Sequence, residues 1–334
     1  MIIALVGGAG FVGHHLALAL QERGHRPVII DSLAVNNLYW LLKQRPLNQD
    51  HLAIVRERLE LLRDREIEIR CLDARDYRKL SENLGWIKPD AIVHLAAIAH
   101  IDRANKDPYS TFDHALRTLE NSLDFARAVS CPHFVYFSSS TVYGDFKKPV
   151  IDEQEPCHPW GIYGNLKLAG ELMVQSYHQA FSLPYTIVRP CAVYGARCIS
   201  GRVTQKFVEQ ALAGSPLVID GDGSGRHDFT YIDDLISGVV KVLTEAKPMC
   251  RAVNLTAGGA FSLAELARII AEEIPGTEIR FGPADPLKPS RGTMDIGLAK
   301  SRLGYSPQDN LKTGMKKYIN WYREFHERRK RSAA

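Results

Sequence analysis

The sequence predicts an α/β protein, a doubly wound parallel sheet with a smaller C-terminal lobe, on three observations. Short, β-branched apolar runs recur at residues 2–6, 28–30, 67–71, 91–95, 134–137 and 186–188, separated by stretches of helical periodicity. Continuous apolar runs of this length suit strands covered on both faces, and their alternation with helices implies parallel pairing through crossovers. The first run passes directly into Gly7-Gly8-Ala9-Gly10-Phe11-Val12-Gly13 and then into a stretch with Leu16, Leu18, Ala19 and Leu20, which reads as strand, tight turn and helix. After Arg189-Pro190 the pattern changes to shorter elements rich in glycine, including Gly221-Asp222-Gly223-Ser224-Gly225, and then to helical patterns near 263–274 and 311–325.

Taken in order, the elements carry chemistry. The glycine turn lets the backbone approach a pyrophosphate, whose charge the free N–H groups at the N-terminus of the following helix stabilise. The second strand ends in Asp31, 18 positions beyond Gly13. A carboxylate there accepts hydrogen bonds from both ribose hydroxyls of an adenosine and repels a 2′-phosphate, so strand, turn, helix, strand and acid in this order point to NAD rather than NADP. Between the second and third strands Leu52, Val55, Leu59 and Leu62 recur at helical spacing, which predicts an extra surface helix. The fifth run continues into Ser138-Ser139-Ser140-Thr141-Val142-Tyr143-Gly144, placing four hydroxyls at the carboxyl edge where open α/β sheets bind ligands. Tyr163-Gly164-Asn165-Leu166-Lys167 sets a phenol and an ammonium four residues apart, on one face of a helix that starts near Trp160. The two segments are expected to meet over the nicotinamide.

At 334 residues, 45% hydrophobic and 24% charged, the chain has the composition of a folded enzyme rather than a disordered segment. Its net charge of +4 is dispersed except for Arg328-Arg329-Lys330-Arg331, read as a solvated tail, so neither nucleic acid nor a membrane is an expected partner. Six cysteines form no CxxC pair and no metal-ligand spacing with histidine, which predicts reduced thiols, no metal and a cytoplasmic location. A strand beginning at Ile2 leaves no room for a cleavable leader, and no apolar stretch nears membrane-spanning length.

These motifs, with Leu72-Asp73-Ala74-Arg75-Asp76, His94-Leu95-Ala96-Ala97, Val193-Tyr194-Gly195 and Asp228-Phe229-Thr230-Tyr231-Ile232-Asp233-Asp234, resemble over nearly the whole length the extended short-chain dehydrogenase/reductase family. The resemblance is to its NAD-dependent nucleotide-sugar epimerases and dehydratases, of the UDP-glucose/galactose 4-epimerase kind. It implies an NAD-binding Rossmann domain at 1–188, to which segments around 228–257 return, and a mainly substrate-binding lobe at 189–330. By the same resemblance Gly7, Gly10, Phe11, Val12, Gly13, Asp31, Asp73, Ala74, Leu95, Ala96, Ala97 and Pro190 surround NAD, with Asp73 at the adenine. Ser139, Tyr163 and Lys167 form the catalytic set, the last two also touching the cofactor. An ordinary tyrosine, pKa ~10, is a poor base at neutral pH, but Lys167 and the positive nicotinamide ring are expected to favour its phenolate. Tyr163 then takes the proton of a sugar hydroxyl as hydride leaves the same carbon for NAD, while Ser139 holds the developing carbonyl oxygen. Hydride returned to the opposite face of C4 gives the epimer.

Family dehydratases place acids just after the catalytic hydroxyl. Here those substrate-facing positions are Ser140 and Thr141, neither of which serves as a carboxylate acid or base, and this favours an epimerase over a 4,6-dehydratase or a decarboxylase, with a keto-sugar reductase of the same family kept as an alternative. Ala99-His100-Ile101-Asp102-Arg103 resembles the dehydratase loop instead, which makes His100 a candidate beside the sugar and Asp102 or Asp145 the carboxylate that dehydration would need. Where many members carry asparagine before Val-Tyr-Gly this chain has Ala192, and where many carry arginine before Asp-Phe it has His227, a substrate-side candidate in its own right. Arg202, Arg226 and Arg291 remain as candidates for the substrate's diphosphate, since a planar fork of donors suits phosphate oxygens. A non-catalytic dinucleotide sensor is a further reading, against which the intact Ser139, Tyr163 and Lys167 argue. Helical stretches at 112–129 and 164–181 carry apolar residues on more than one face, and the family resemblance implies a homodimer.

Overall fold

A computed structural model describes residues 1–98, 101–283 and 291–333, apart from the side chains of 101–103 and 332–333. Seven parallel strands form the central sheet: β1 (Ile2–Val6), β2 (Arg26–Asp31), β3 (Glu68–Cys71), β4 (Ala91–His94), β5 (Phe134–Phe137), β6 (Tyr185–Arg189) and β7 (Ala252–Asn254). Their spatial order is β7-β6-β5-β4-β1-β2-β3. The winding direction reverses between β1 and β4, and the carboxyl ends of these strands therefore open a crevice.

The principal helices are α1 (Phe11–Gln21), α2 (Gln49–Asp64), α3 (Tyr77–Ile87), α4 (Thr118–Ala128), α5 (Gly161–Phe181), α6 (Val203–Leu212), α7 (Ile232–Thr244), α8 (Leu263–Glu273) and α9 (Leu311–Ala333). Successive strand residues point to opposite faces. Ile3, Leu5, Val93, Val135 and Val188 enter the layer under α1 and α7, whereas Ala4, Val6, Ile92, Phe134 and Ile187 enter the layer under α3, α4 and α5. Both faces are covered, which is why these strands read as unbroken apolar runs and why the predicted doubly wound α/β architecture holds. Outside the central sheet the chain adds short strand pairs, Leu217–Asp220 with Ile279–Gly282, Arg226–His227 with Phe261–Ser262, and Val150–Ile151 with Thr293–Met294.

Two expectations change. The insertion helix α2 is no surface ornament, since Leu52, Ile54, Val55 and Leu62 are buried and even Arg58 is 1% exposed. It shares a core with Met315, Tyr318 and Tyr322 of α9. Nor is the basic run near the C-terminus a solvated tail. The apolar stripe through Tyr318, Tyr322 and Phe325 carries α9 onward, and Arg328 pairs with Glu57 of α2 at 3.1 Å. Among the described residues no helix is long and apolar enough to cross a membrane.

Helix α5 is fixed to the sheet by close approach and by charge. A Cβ on Gly170 would lie 2.2 Å from the Tyr136 hydroxyl, so only glycine lets the helix sit this near β5. One residue on, Glu171 accepts a bidentate pair from Arg189 at 2.9 and 2.6 Å and a further bond from Ser138. Arg189 also donates to Tyr143 at 2.9 Å, and Tyr143 donates to Asn254 at 2.8 Å. The ion pair is almost wholly buried, and removing one partner leaves an uncompensated charge. Glu171→Leu is expected to lower the unfolding free energy by about 3–5 kcal/mol in urea denaturation, and a loss below about 1 kcal/mol would show that Arg189 finds other partners.

Candidate active site

At the carboxyl edge of the sheet lies a cleft of about 610 Å³. Every residue assigned above to cofactor, chemistry or substrate lines it except Arg226 and His100. His100 lies outside the described residues. Arg226 belongs to a two-residue antiparallel strand whose neighbours face opposite sides. His227 turns into the cleft, while Arg226 turns away to the Ala260 carbonyl and to Glu265 at 3.7 Å.

The turn after β1 leaves a cradle. Gly7 has φ +82° and a Cβ there would sit 2.6 Å from the Ala96 amide, so this glycine is demanded by the protein's own packing. At Gly10 the nearest atom to an added Cβ is 3.4 Å away; the space in front of it belongs to the cleft. Gly10 caps α1 without any side-chain bond and α1 has no acidic residue in its first turn, which leaves the helix N-terminus free for an anion. Asp31 sits beside this turn, accepting from Ala9 N at 3.0 Å and Leu33 N at 2.7 Å. Burial raises its pKa and those two N–H bonds oppose the rise. Asp73 is held by Arg75 in a bidentate pair, which keeps its carboxyl below the usual range, and Arg75 reaches on to Asp113 at 2.7 Å. These residues fit a dinucleotide: an uncapped helix start for the diphosphate and a fixed carboxylate for a ribose.

Arg58 is a residue the sequence did not single out. It arrives from α2, donates through Nε and a terminal nitrogen to the Arg197 carbonyl, and lines the cleft near Asp31, yet its other terminal nitrogen is buried without a partner. A cation in the insertion was visible, but nothing local says that the helix turns inward there.

The chemical half of the cleft is built by β5 and α5. Ser139 caps the short helical turn Ser140–Tyr143, accepting from Thr141 N at 3.2 Å, and its hydroxyl is among the groups that hold the pKa of the Tyr163 phenol down. Helix α5 starts after Trp160 as expected, so Tyr163 and Lys167 share a face. Lys167 is held at the end of β5. Its ammonium donates to the Phe137 carbonyl at 2.6 Å and lies 5.1 Å from the centre of the Tyr136 ring. Burial lowers its pKa to about 8. Burial also raises Tyr163, and Arg202, Ser139 and Arg291 pull the phenol back down.

Among the described residues, the carboxylates lining the cleft are Asp31, Asp73 and Asp220, and none follows Ser139. Asp145 does not line it. Ala192, at the position where asparagine was noted as common, lines the cleft with φ +38°, a region that favours glycine and asparagine. The described residues hold no cluster of three or more His, Cys, Asp or Glu side chains suited to a metal ion.

Residues 3–255 match the NAD dependent epimerase/dehydratase family. The chain is 30% identical to YtcB of Bacillus subtilis (strain 168), named an uncharacterised UDP-glucose epimerase, over 98% of this chain and 99% of that one. It is 29% identical to UDP-glucuronic acid decarboxylase 1 of Arabidopsis thaliana over 96% of this chain and 69% of the relative. The crystal structure of UDP-glucuronic acid 4-epimerase from Bacillus cereus, in complex with UDP-glucuronic acid and NAD, superposes with a TM-score of 0.87 at 27% identity, covering 97% of this chain and 99% of that one.

Gly10→Val puts a side chain into the cradle, where its Cβ meets no atom nearer than 3.4 Å. It is expected to leave thermal unfolding within a few degrees of wild type and to weaken NAD binding at least ~10-fold by calorimetry. Unchanged affinity would remove the dinucleotide from that turn. Arg58→Met is expected to weaken NAD binding by about 10-fold in the same titration, and an unaltered affinity would make Arg58 a purely structural bridge to the Arg197 loop.

Proposed function

This chain belongs to the NAD-dependent epimerase/dehydratase family, and from that premise we propose that it is an epimerase of a nucleoside-diphosphate sugar, acting by transient oxidation at C4. The observation that carries the reading is that the Ser139 and Tyr163 side chains line one cleft in which, among the described residues, no carboxylate follows Ser139. Oxidation and reduction at one carbon need one proton acceptor and one hydrogen-bond donor to oxygen; elimination of water needs a further acid and base at the neighbouring carbons.

NAD, the family's cofactor, supplies a hydride acceptor and later donor when bound. Tyr163 takes the proton of the C4 hydroxyl, and Ser139 stays hydrogen-bonded to that oxygen as it becomes a carbonyl. Lys167 holds its charge next to the end of β5 below about pH 8. After the keto-sugar presents its other face, Tyr163 returns the proton to the re-formed hydroxyl, so the sugar gains and loses nothing. Arg202, with Lys206 one turn further along α6, suits the diphosphate at that helix's N-terminus. A second copy packing on the exposed Leu172 and Phe181 of α5 belongs to the same reading.

The test is incubation with NAD and a panel of nucleotide sugars in deuterated water, read by mass spectrometry and proton NMR. An isobaric C4 epimer without solvent deuterium on carbon supports the reading. Loss of water with deuterium on carbon would make the protein a dehydratase, loss of carbon dioxide a decarboxylase, and no exchange with any sugar a dinucleotide sensor. Tyr163→Phe is expected to reduce turnover by at least ~10³-fold while NAD affinity stays within about 3-fold. The phenol's titration gives a pH test. Burial places its midpoint above the ordinary value, and a positive nicotinamide ring favours phenolate. The midpoint in ultraviolet difference spectra against Tyr163→Phe is therefore expected to fall on adding NAD. An unmoved midpoint would deny Tyr163 the role of proton acceptor.

A further inference from the structure

Between the cofactor half of the cleft and the substrate half runs a chain of hydrogen bonds that plays no part in the proton and hydride steps. It starts at the Gly10 carbonyl, in the turn that forms the cradle. His14, one helical turn further along α1 and fully buried, donates to that carbonyl through Nδ1 at 2.9 Å. A carbonyl only accepts, so Nδ1 carries the ring proton and Nε2 keeps its lone pair. Arg197 fills that acceptor, donating from Nε at 2.9 Å. Burial, and after it the charges of His15, Arg58 and Arg197, lower the pKa of His14, and the neutral ring is the form that both bonds need.

Arg197 belongs to the segment 195–202, of which Ile199, Ser200, Gly201 and Arg202 line the cleft. Its backbone stands at φ +63°, in the left-handed region that an arginine adopts only where its surroundings hold it. The helices that hold it are α1 and α2. His15 of α1 donates to the Ala196 carbonyl at 3.0 Å, Arg58 of α2 donates to the Arg197 carbonyl at 2.9 Å, and Glu57 of α2 faces the Arg197 guanidinium at 3.5 Å. At the far end of the segment Gly201 N donates to Gln205 at 2.8 Å, and Arg202 reaches back to the Val193 carbonyl at 3.4 Å. Arg202 is thus tied to the same segment that Arg197 anchors. Neither His14 nor Arg197 lines the cleft, so both act through other residues.

We propose that His14 and Arg197 are positioning residues that couple the two halves of the cleft: a dinucleotide seated on the Gly10 turn favours the strained setting of Arg197, and that setting holds Arg202 toward the substrate's diphosphate. An anion at the uncapped start of α1 fixes the Gly10 turn, whose carbonyl sets the His14 ring. The bond that distinguishes the two settings of the segment is His14–Arg197, made when the Arg197 backbone is left-handed and lost when it relaxes. NAD and a nucleoside diphosphate then strengthen each other's binding by the same factor, as linkage requires. The inference rests on the proposed function for the diphosphate at Arg202.

The experiment is calorimetric titration of NAD into the protein without and with saturating UDP, alongside direct titration of UDP into the NAD-loaded protein. In the wild type UDP is expected to tighten NAD binding at least ~5-fold. His14→Asn keeps a donor toward Gly10 but lacks the acceptor for Arg197. It is expected to bring the factor to within about 2-fold of unity, while NAD affinity without UDP stays within about 3-fold of wild type. His14→Gln places an amide oxygen where Nε2 stood and is expected to retain at least about half of the wild-type factor, a rescue that space-filling alone would not give. If His14→Asn fails to fold by circular dichroism, Arg197→Met carries the test with the same expected loss. A wild-type factor near one, a factor that neither loss variant lowers, or a Gln variant no better than the Asn variant overturns the coupling. UDP binding that Arg202→Met weakens then leaves the diphosphate reading standing. UDP binding that ignores Arg202, or no UDP binding at all, overturns that reading and the coupling with it.

Discussion

The buried pair between Glu171 and Arg189 fixes where everything else in the active cleft sits. Glu171 lies four residues beyond Lys167 and eight beyond Tyr163, on the same face of α5, so the anchor and the chemical groups share one rigid rod. Arg189 closes β6 and Ser138 follows β5, and both reach Glu171. The phenol is thus positioned against the hydroxyl run by the same bonds that hold helix to sheet. Gly170 completes the arrangement, because any side chain there would strike the Tyr136 hydroxyl and lift α5 from the strands. A buried ion pair of this kind contributes little net stability over an apolar equivalent; its value here is that it permits one register only.

Desolvation sets the chemistry. Burial raises Tyr163 and lowers Lys167, so in the chain alone both groups are held toward their neutral forms. The charges that oppose this at the phenol come from Arg202 and Arg291, both of which line the cleft. Ligand recognition and proton acceptance are therefore coupled electrostatically. An anion that engages either arginine changes the field at Tyr163, and a positively charged ring beside the phenol offsets that change.

The parts legible in the sequence were those with a local signature. Buried strands, the glycine turn, the acid closing β2 and the phenol–ammonium spacing each depend on a few adjacent residues, and the structure has them where the pattern put them. What escaped was decided over long distances. The apolar side of α2 was visible, but that it docks beside α9 and delivers Arg58 to the cleft depends on residues some 260 positions away. Whether Arg226 or His227 faces the cleft is a question of strand parity, and a two-residue strand carries no alternation to read. That the Lys167 ammonium also donates to the Phe137 carbonyl appears only when β5 and α5 are packed together. Arg328 looked solvated because its partner Glu57 lies far away along the chain.

The central claim is that C4 alone is oxidised and reduced, in one cleft, with Tyr163 handling the proton. A nucleotide sugar deuterated at C4, turned over in ordinary water, tests this most directly. Recovery of the epimer with the deuterium still on C4, and a rate slower than that of the unlabelled sugar, is the predicted result. Washing of the label into water, or its appearance on another carbon, would place the chemistry elsewhere on the ring and contradict the account.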